Sequence, residues 1–132
     1  MRLLLALTLL IATLNAEHIR WQHGFDEALF MAKELNKDIL FLLLKKDDSK
    51  EVFNKVFGDE EVVKLVNDRF VSVVAFYEDR YSYPVELFYT YDFPTLFLVS
   101  SKDESFLTKP LSGDFSKDEV LKVVTPRRLE LR

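Results

Sequence analysis

The chain has 132 residues, no cysteine, two histidines and three glycines, with 18 Lys plus Arg against 22 Asp plus Glu for a net charge of −4. A chain of this length folds as one domain with a self-sufficient core. The missing cysteine excludes disulfides, thiolate catalysis, Cys-ligated zinc and iron–sulfur clusters, and an acidic balance without a basic stripe excludes a nucleic-acid surface.

Met1-Arg2 gives a positive start, and Leu3 to Leu14 is an apolar run broken only by Thr8 and Thr13. Asn15-Ala16 then brings a small residue before Glu17. This order describes a secretory signal peptide over residues 1–16, cut after Ala16, and a periplasmic or secreted protein; retention as an N-terminal anchor is the alternative. No later segment is long and apolar enough for a bilayer span, so no stable span is expected after cleavage. One domain over 17–126 and a short tail over 127–132 remain.

Ile19 to Trp21 is expected to add a short edge strand. From Gly24 to Asn36, Phe25, Ala28, Leu29, Ala32 and Leu35 recur at helical steps, with Asp26 and Glu27 in the first turn where the dipole favours acid. Ile39 to Leu44 is a continuous apolar run, the mark of a central strand covered on both faces. After the polar loop Lys45–Ser49, a second helix turns Val52, Phe53, Val56 and Phe57 inward and stops at Gly58. A further helical turn carries Val62, Val63 and Val66. Phe70 to Phe76 has strand composition.

Residues 76–93 are crowded with aromatics, and Pro84 suits the first position of a short helix through about Tyr91. Thr95 to Ser100 reads as a third strand with Ser105 to Leu111 as its hairpin partner. Ser116-Lys117-Asp118-Glu119 is a capping box, so the last helix runs from about Lys117 to Val124 before Pro126. Strands separated by helices are expected to be parallel, and the hairpin antiparallel. The fold class is therefore α/β, a mixed sheet of about four or five strands flanked by about four helices.

Five segments of this order resemble the thioredoxin fold, in particular secreted thioredoxin-like proteins. Trp21 with Phe25-Asp26-Glu27-Ala28-Leu29, Ala32-Lys33 and Lys37 resembles the group's usual opening. Val56-Phe57-Gly58-Asp59-Glu60-Glu61-Val62 resembles the run after the active-site helix, Phe70-Val71 the following strand, and Phe93-Pro94-Thr95-Leu96-Phe97-Leu98 the strand after the cis-proline. Gly113 before the last helix also matches. By this resemblance the family's C-x-x-C falls on Lys46-Asp47-Asp48-Ser49. Disulfide exchange requires a thiolate, which neither an ammonium nor a hydroxyl can replace, so thiol oxidoreductase activity is excluded.

The resemblance implies a cis bond before Pro94 and peptide capture on the backbone of Phe93, with Thr95 beside it, by β-augmentation. The same proline could simply shape the turn. Tyr77 and Tyr81 are candidate contacts, since Tyr and Phe dominate binding hot spots, although aromatics more often pack. Lys46 and Ser49 complete the candidate edge. Asp47, Asp48 or Ser49 would equally cap the following helix. No catalytic residue is assigned: Ser49 has no base at a telling interval, and no G-x-S-x-G elbow occurs. His18 and His23 lack further ligands, so no metal is expected, and three scattered glycines cannot cradle a phosphate, so no cofactor is expected.

The expected role is a non-redox binding or accessory one with a protein or peptide partner. A non-thiol enzyme using Lys46-Asp47-Asp48-Ser49, or a structural subunit of a larger assembly, are the alternatives.

Overall fold

A computed structural model of the chain describes residues 17–126. The signal peptide expected over 1–16 and the tail over 127–132 lie outside the described residues. Among the described residues no helix is long and apolar enough to cross a membrane.

Helix α1 (Phe25–Leu35) buries Phe25, Ala28 and Ala32. It ends at Asn36, whose left-handed backbone (φ 55°, ψ 45°) lets the amides of Asn36 and Lys37 cap the last carbonyls. Strand β1 (Asp38–Leu44) follows. Its side chains alternate: Ile39, Phe41 and Leu43 enter one core, and Leu40, Leu42 and Leu44 the other. A 3-10 turn at Lys46–Asp48 leads into α2 (Ser49–Lys55). The chain turns through Gly58 into α3 (Glu60–Arg69), and β2 (Phe70–Phe76) pairs parallel to β1. Strand β3 (Thr95–Val99) pairs antiparallel to β1 on its other side, and β4 (Leu111–Ser112) pairs antiparallel to β3. Helix α4 (Lys117–Val124) closes the domain.

The sheet order is β2-β1-β3-β4, so the apolar run at 39–44 is central. One face is covered by α2, α3 and α4, the other by α1 and the 77–94 segment. The second core is an aromatic stack: the Phe41 ring lies 4.5 Å from Phe88, 5.5 Å from Tyr83, 5.7 Å from Phe25 and 5.9 Å from Phe97. Buried Asn67 clips the first described residues to α3. Its Nδ2 donates to the His18 carbonyl (2.8 Å) and its Oδ1 accepts the Arg20 amide (3.4 Å).

The structure corrects five expectations. The edge strand at Ile19–Trp21 shrinks to one parallel bridge of Gln22 with Val73. The helical turn expected at Val62–Val66 is a ten-residue helix, because Asp59 caps it, accepting the Glu61 and Val62 amides at 3.1 Å each. The helix expected from Pro84 is absent. One backbone hydrogen bond, from the Leu87 amide to the Pro84 carbonyl at 3.0 Å, closes a turn, while Tyr83 and Phe88 dock into the core. Five residues correspond to about 140° around a helix, so a helical backbone would not turn both rings to one core. Without that helical crossover, β3 returns antiparallel to β1 rather than parallel. The hairpin partner at Ser105–Leu111 is interrupted: Phe106 bridges Val99, and pairing resumes only at Leu111. Pro110 between them has no N–H to give a ladder.

Candidate functional site

The capping box on α4 forms as its spacing predicts. The Glu119 amide donates to Ser116 Oγ (3.2 Å), and Ser116 N–H donates to Glu119 Oε1 (3.0 Å). That box fixes the loop entering α4. Gly113 supplies the turn before it, with φ 77°, and its amide donates to the Pro94 carbonyl at 2.9 Å. The loop is thus pinned beside Phe93–Pro94, whose peptide bond is cis.

Between these segments and α2 lies a cleft of about 530 Å³. It is lined by Glu51, Val52 and Lys55 of α2, by Val56 just after that helix, by Phe93 and Pro94, and by Asp114–Lys117. Val52, Val56 and Phe115 are buried and give it an apolar floor. Its charged lining residues are Glu51, Lys55, Asp114 and Lys117, and both lysines are in ion pairs. Lys55 Nζ donates to Glu51 Oε1 (2.6 Å), and Lys117 Nζ donates to Asp59 Oδ1 (3.3 Å). The hydrogen bond from Lys55, with its charge, holds the Glu51 carboxyl below the usual range, and the same contact raises Lys55. Asp59 is lowered chiefly by the Val62 amide that it caps, with a smaller part from Lys117.

Phe93 is half-buried and braced on several sides. The Tyr77 ring meets it edge-on at 5.0 Å, and Lys45 Nζ lies 5.0 Å from its centroid. Arg80 in turn lies over Tyr77 at 5.8 Å. Among the described residues, the amide and carbonyl of Phe93 have no backbone hydrogen-bond partner. Thr95 is buried, and its hydroxyl is committed to the Asp92 carbonyl (2.5 Å) and Thr90 Oγ1 (3.0 Å).

The structure therefore brings Phe93, Pro94 and Tyr77 together, with Thr95 as the buried anchor of the same strand start. Tyr81 is fully exposed and does not line the cleft. Lys46 sits in the 3-10 turn after β1, its amide donating to Glu78 Oε1 (3.3 Å), and does not line the cleft either. Ser49 opens α2; its side chain lies outside the described groups. Sequence reading alone does not single out Glu51, Lys55, Asp114 or Lys117. The available signals were the Glu51/Lys55 helical spacing and the glycine that turns Asp114 toward Pro94.

Among the residues lining the cleft the one side-chain hydroxyl, Ser116 Oγ, is used in the capping box, and none is a histidine. Among the described residues no group of three or more His, Asp or Glu side chains is placed to hold a metal ion.

No protein-family model matches the chain, and no curated protein matches it in sequence. Solved structures do match. A thioredoxin from Thermus thermophilus superposes with a TM-score of 0.66 at 19% identity, over 80% of this chain and 84% of that one. DsbH oxidoreductase gives 0.66 at 16% identity, over 89% and 88%. A proposed disulphide isomerase from Bacteroides thetaiotaomicron gives 0.66 at 26% identity, over 83% and 93%. With its four-stranded mixed sheet between helices and no cysteine in its sequence, the chain is a thioredoxin-like-fold protein that lacks the C-x-x-C motif.

Proposed function

We propose that this protein is a non-redox binding or accessory module that captures an extended segment of a protein or peptide partner along Phe93-Pro94-Thr95. The observation that carries this reading is the Phe93 backbone, whose amide and carbonyl lack backbone partners on the wall of an apolar-floored cleft. A partner strand would supply both missing hydrogen bonds, with one side chain reaching Val52, Val56 and Phe115. Proteins of similar fold are named as an oxidoreductase and a thioredoxin. This chain has no sulfur nucleophile with which to follow them.

The compartment proposed is extracytoplasmic, on the strength of the charge, apolar and small-residue order of residues 1–16. Mass spectrometry of the secreted or periplasmic form should find Glu17 at its N-terminus.

The binding test is selection from a random dodecapeptide library, followed by titration calorimetry of the selected peptides. Main-chain capture predicts that N-methylation at alternate peptide positions weakens binding at least tenfold, and that Pro94→Ala does the same. Tyr81→Ala measures whether the edge extends to that ring. Selected peptides indifferent to both N-methylation and Pro94→Ala would sink the reading.

A further inference from the structure

Helix α1 carries apolar side chains on two sides. Phe25, Ala28 and Ala32 face the core, yet Phe30 is 68% exposed, Leu35 55% and Met31 36%. At about 100° per residue, Phe30 points away from the core and Met31 lies about 100° from it on the flank. Leu35 lies almost in line with Ala28 but at the C-terminal end of the helix, where it is left uncovered. They form a shallow apolar depression of about 600 Å³, and the other residues lining it are Asp26, Glu27 and Glu34. Exposed apolar side chains grouped in one depression mark an interaction surface, and the charged residues lining this one are carboxylates. Arg20 and Lys37, which border Met31 and Leu35 on the other side, are engaged by Glu17 and by the Asn67 carbonyl.

We infer that this face docks a cationic amphipathic segment of another protein. Its apolar residues, three and four apart, cover Phe30, Met31 and Leu35, and its Lys or Arg residues meet Asp26, Glu27 and Glu34. Charge decides the occupant. A second copy would set carboxylates against carboxylates in a chain already carrying −4, and an anionic bilayer surface would be repelled by the same groups. The inference does not rest on peptide capture at Phe93, because α1 covers the sheet face opposite to α2 and α4.

The test is fluorescence anisotropy with a labelled 18-residue Leu/Lys peptide of helical periodicity, and with its Leu/Glu counterpart. The full domain binds the Lys probe and not the Glu probe. Phe30→Ser, a surface change, weakens the Lys probe at least tenfold, as does the double reversal Glu27→Lys with Glu34→Lys. Raising salt from 0.1 to 1 M weakens it too, as the screening length falls from about 10 to about 3 Å. The matched reversal Asp68→Lys with Glu86→Lys, off this face, leaves binding within twofold. Equal losses in both double reversals would reduce the effect to net charge and overturn the inference, as would Phe30→Ser binding like the unaltered domain. Sedimentation without probe completes the test: self-association abolished by Phe30→Ser assigns the face to a second copy and also overturns it.

Discussion

Ser72 is 3% exposed in the middle of β2, opposite Leu40, and its Oγ has no hydrogen-bond partner among the described residues. Its backbone is held independently, since the Ser72 carbonyl accepts the Gln22 amide at 2.7 Å. Removing the hydroxyl therefore need not disturb the strand. A buried hydroxyl without a partner costs about 1–3 kcal/mol relative to its hydrated state. Ser72→Ala deletes that cost and leaves a void of about one oxygen, roughly 10–15 Å³, worth about 0.3 kcal/mol at the usual cavity coefficient. The net expectation is a stabilisation of about 1 kcal/mol, equivalent to a Tm rise of roughly 4 °C. Urea unfolding followed by circular dichroism reads this as a higher midpoint at unchanged slope. A lower midpoint for Ser72→Ala refutes the reasoning, because it would mean that the hydroxyl is bonded in the folded protein.

Three further outcomes are expected. The Asp59 carboxyl is held below its ordinary value by the amides it caps, so its contribution is complete above about pH 4 and is lost as pH falls through the lower folded value. Asp59→Asn keeps the capping acceptor, so the variant should lose less stability than the parent between about pH 4 and pH 2; parallel curves would disprove the linkage. Gly113→Ala meets no atom within 4 Å but places a side chain at φ 77°, so urea unfolding should show a loss of about 1–2 kcal/mol from backbone strain alone, with Gly113→Asn milder. Tyr83→Ala empties part of the aromatic core and should cost about 3 kcal/mol, whereas fully exposed Tyr81→Ala should stay within about 0.5 kcal/mol; similar midpoints for the two variants would contradict the packing described.

What was legible in the sequence was what local rules determine. The Ile39–Leu44 run becomes the central strand because only a strand covered on both faces is apolar at every position. The Ser116–Glu119 spacing becomes a capping box because both of its bonds are local. The 77–94 segment departs from its local signals for the converse reason. Pro84 permits a helix start, but the long-range packing of Tyr83 and Phe88 on Phe41 outweighs that preference. The Asp59 cap has a local signal as well, since acids at Glu60 and Glu61 follow it in the first turn. The candidate site was half legible. Phe93-Pro94-Thr95 could be placed through the resemblance, but the α2 and Asp114 walls come from segments far apart in sequence, and no spacing rule links them.

The aromatic stack on Phe41 has a mechanical consequence. In a ladder, each amide is shielded by a neighbouring carbonyl, and releasing one residue means breaking several bonds. Residues 85–93 have few such bonds, and they stay in place because the rings of Tyr83 and Phe88 are seated between the sheet and α1. Hydrogen exchange of these amides should therefore report the unseating of two rings, at a lower opening energy than that of β1.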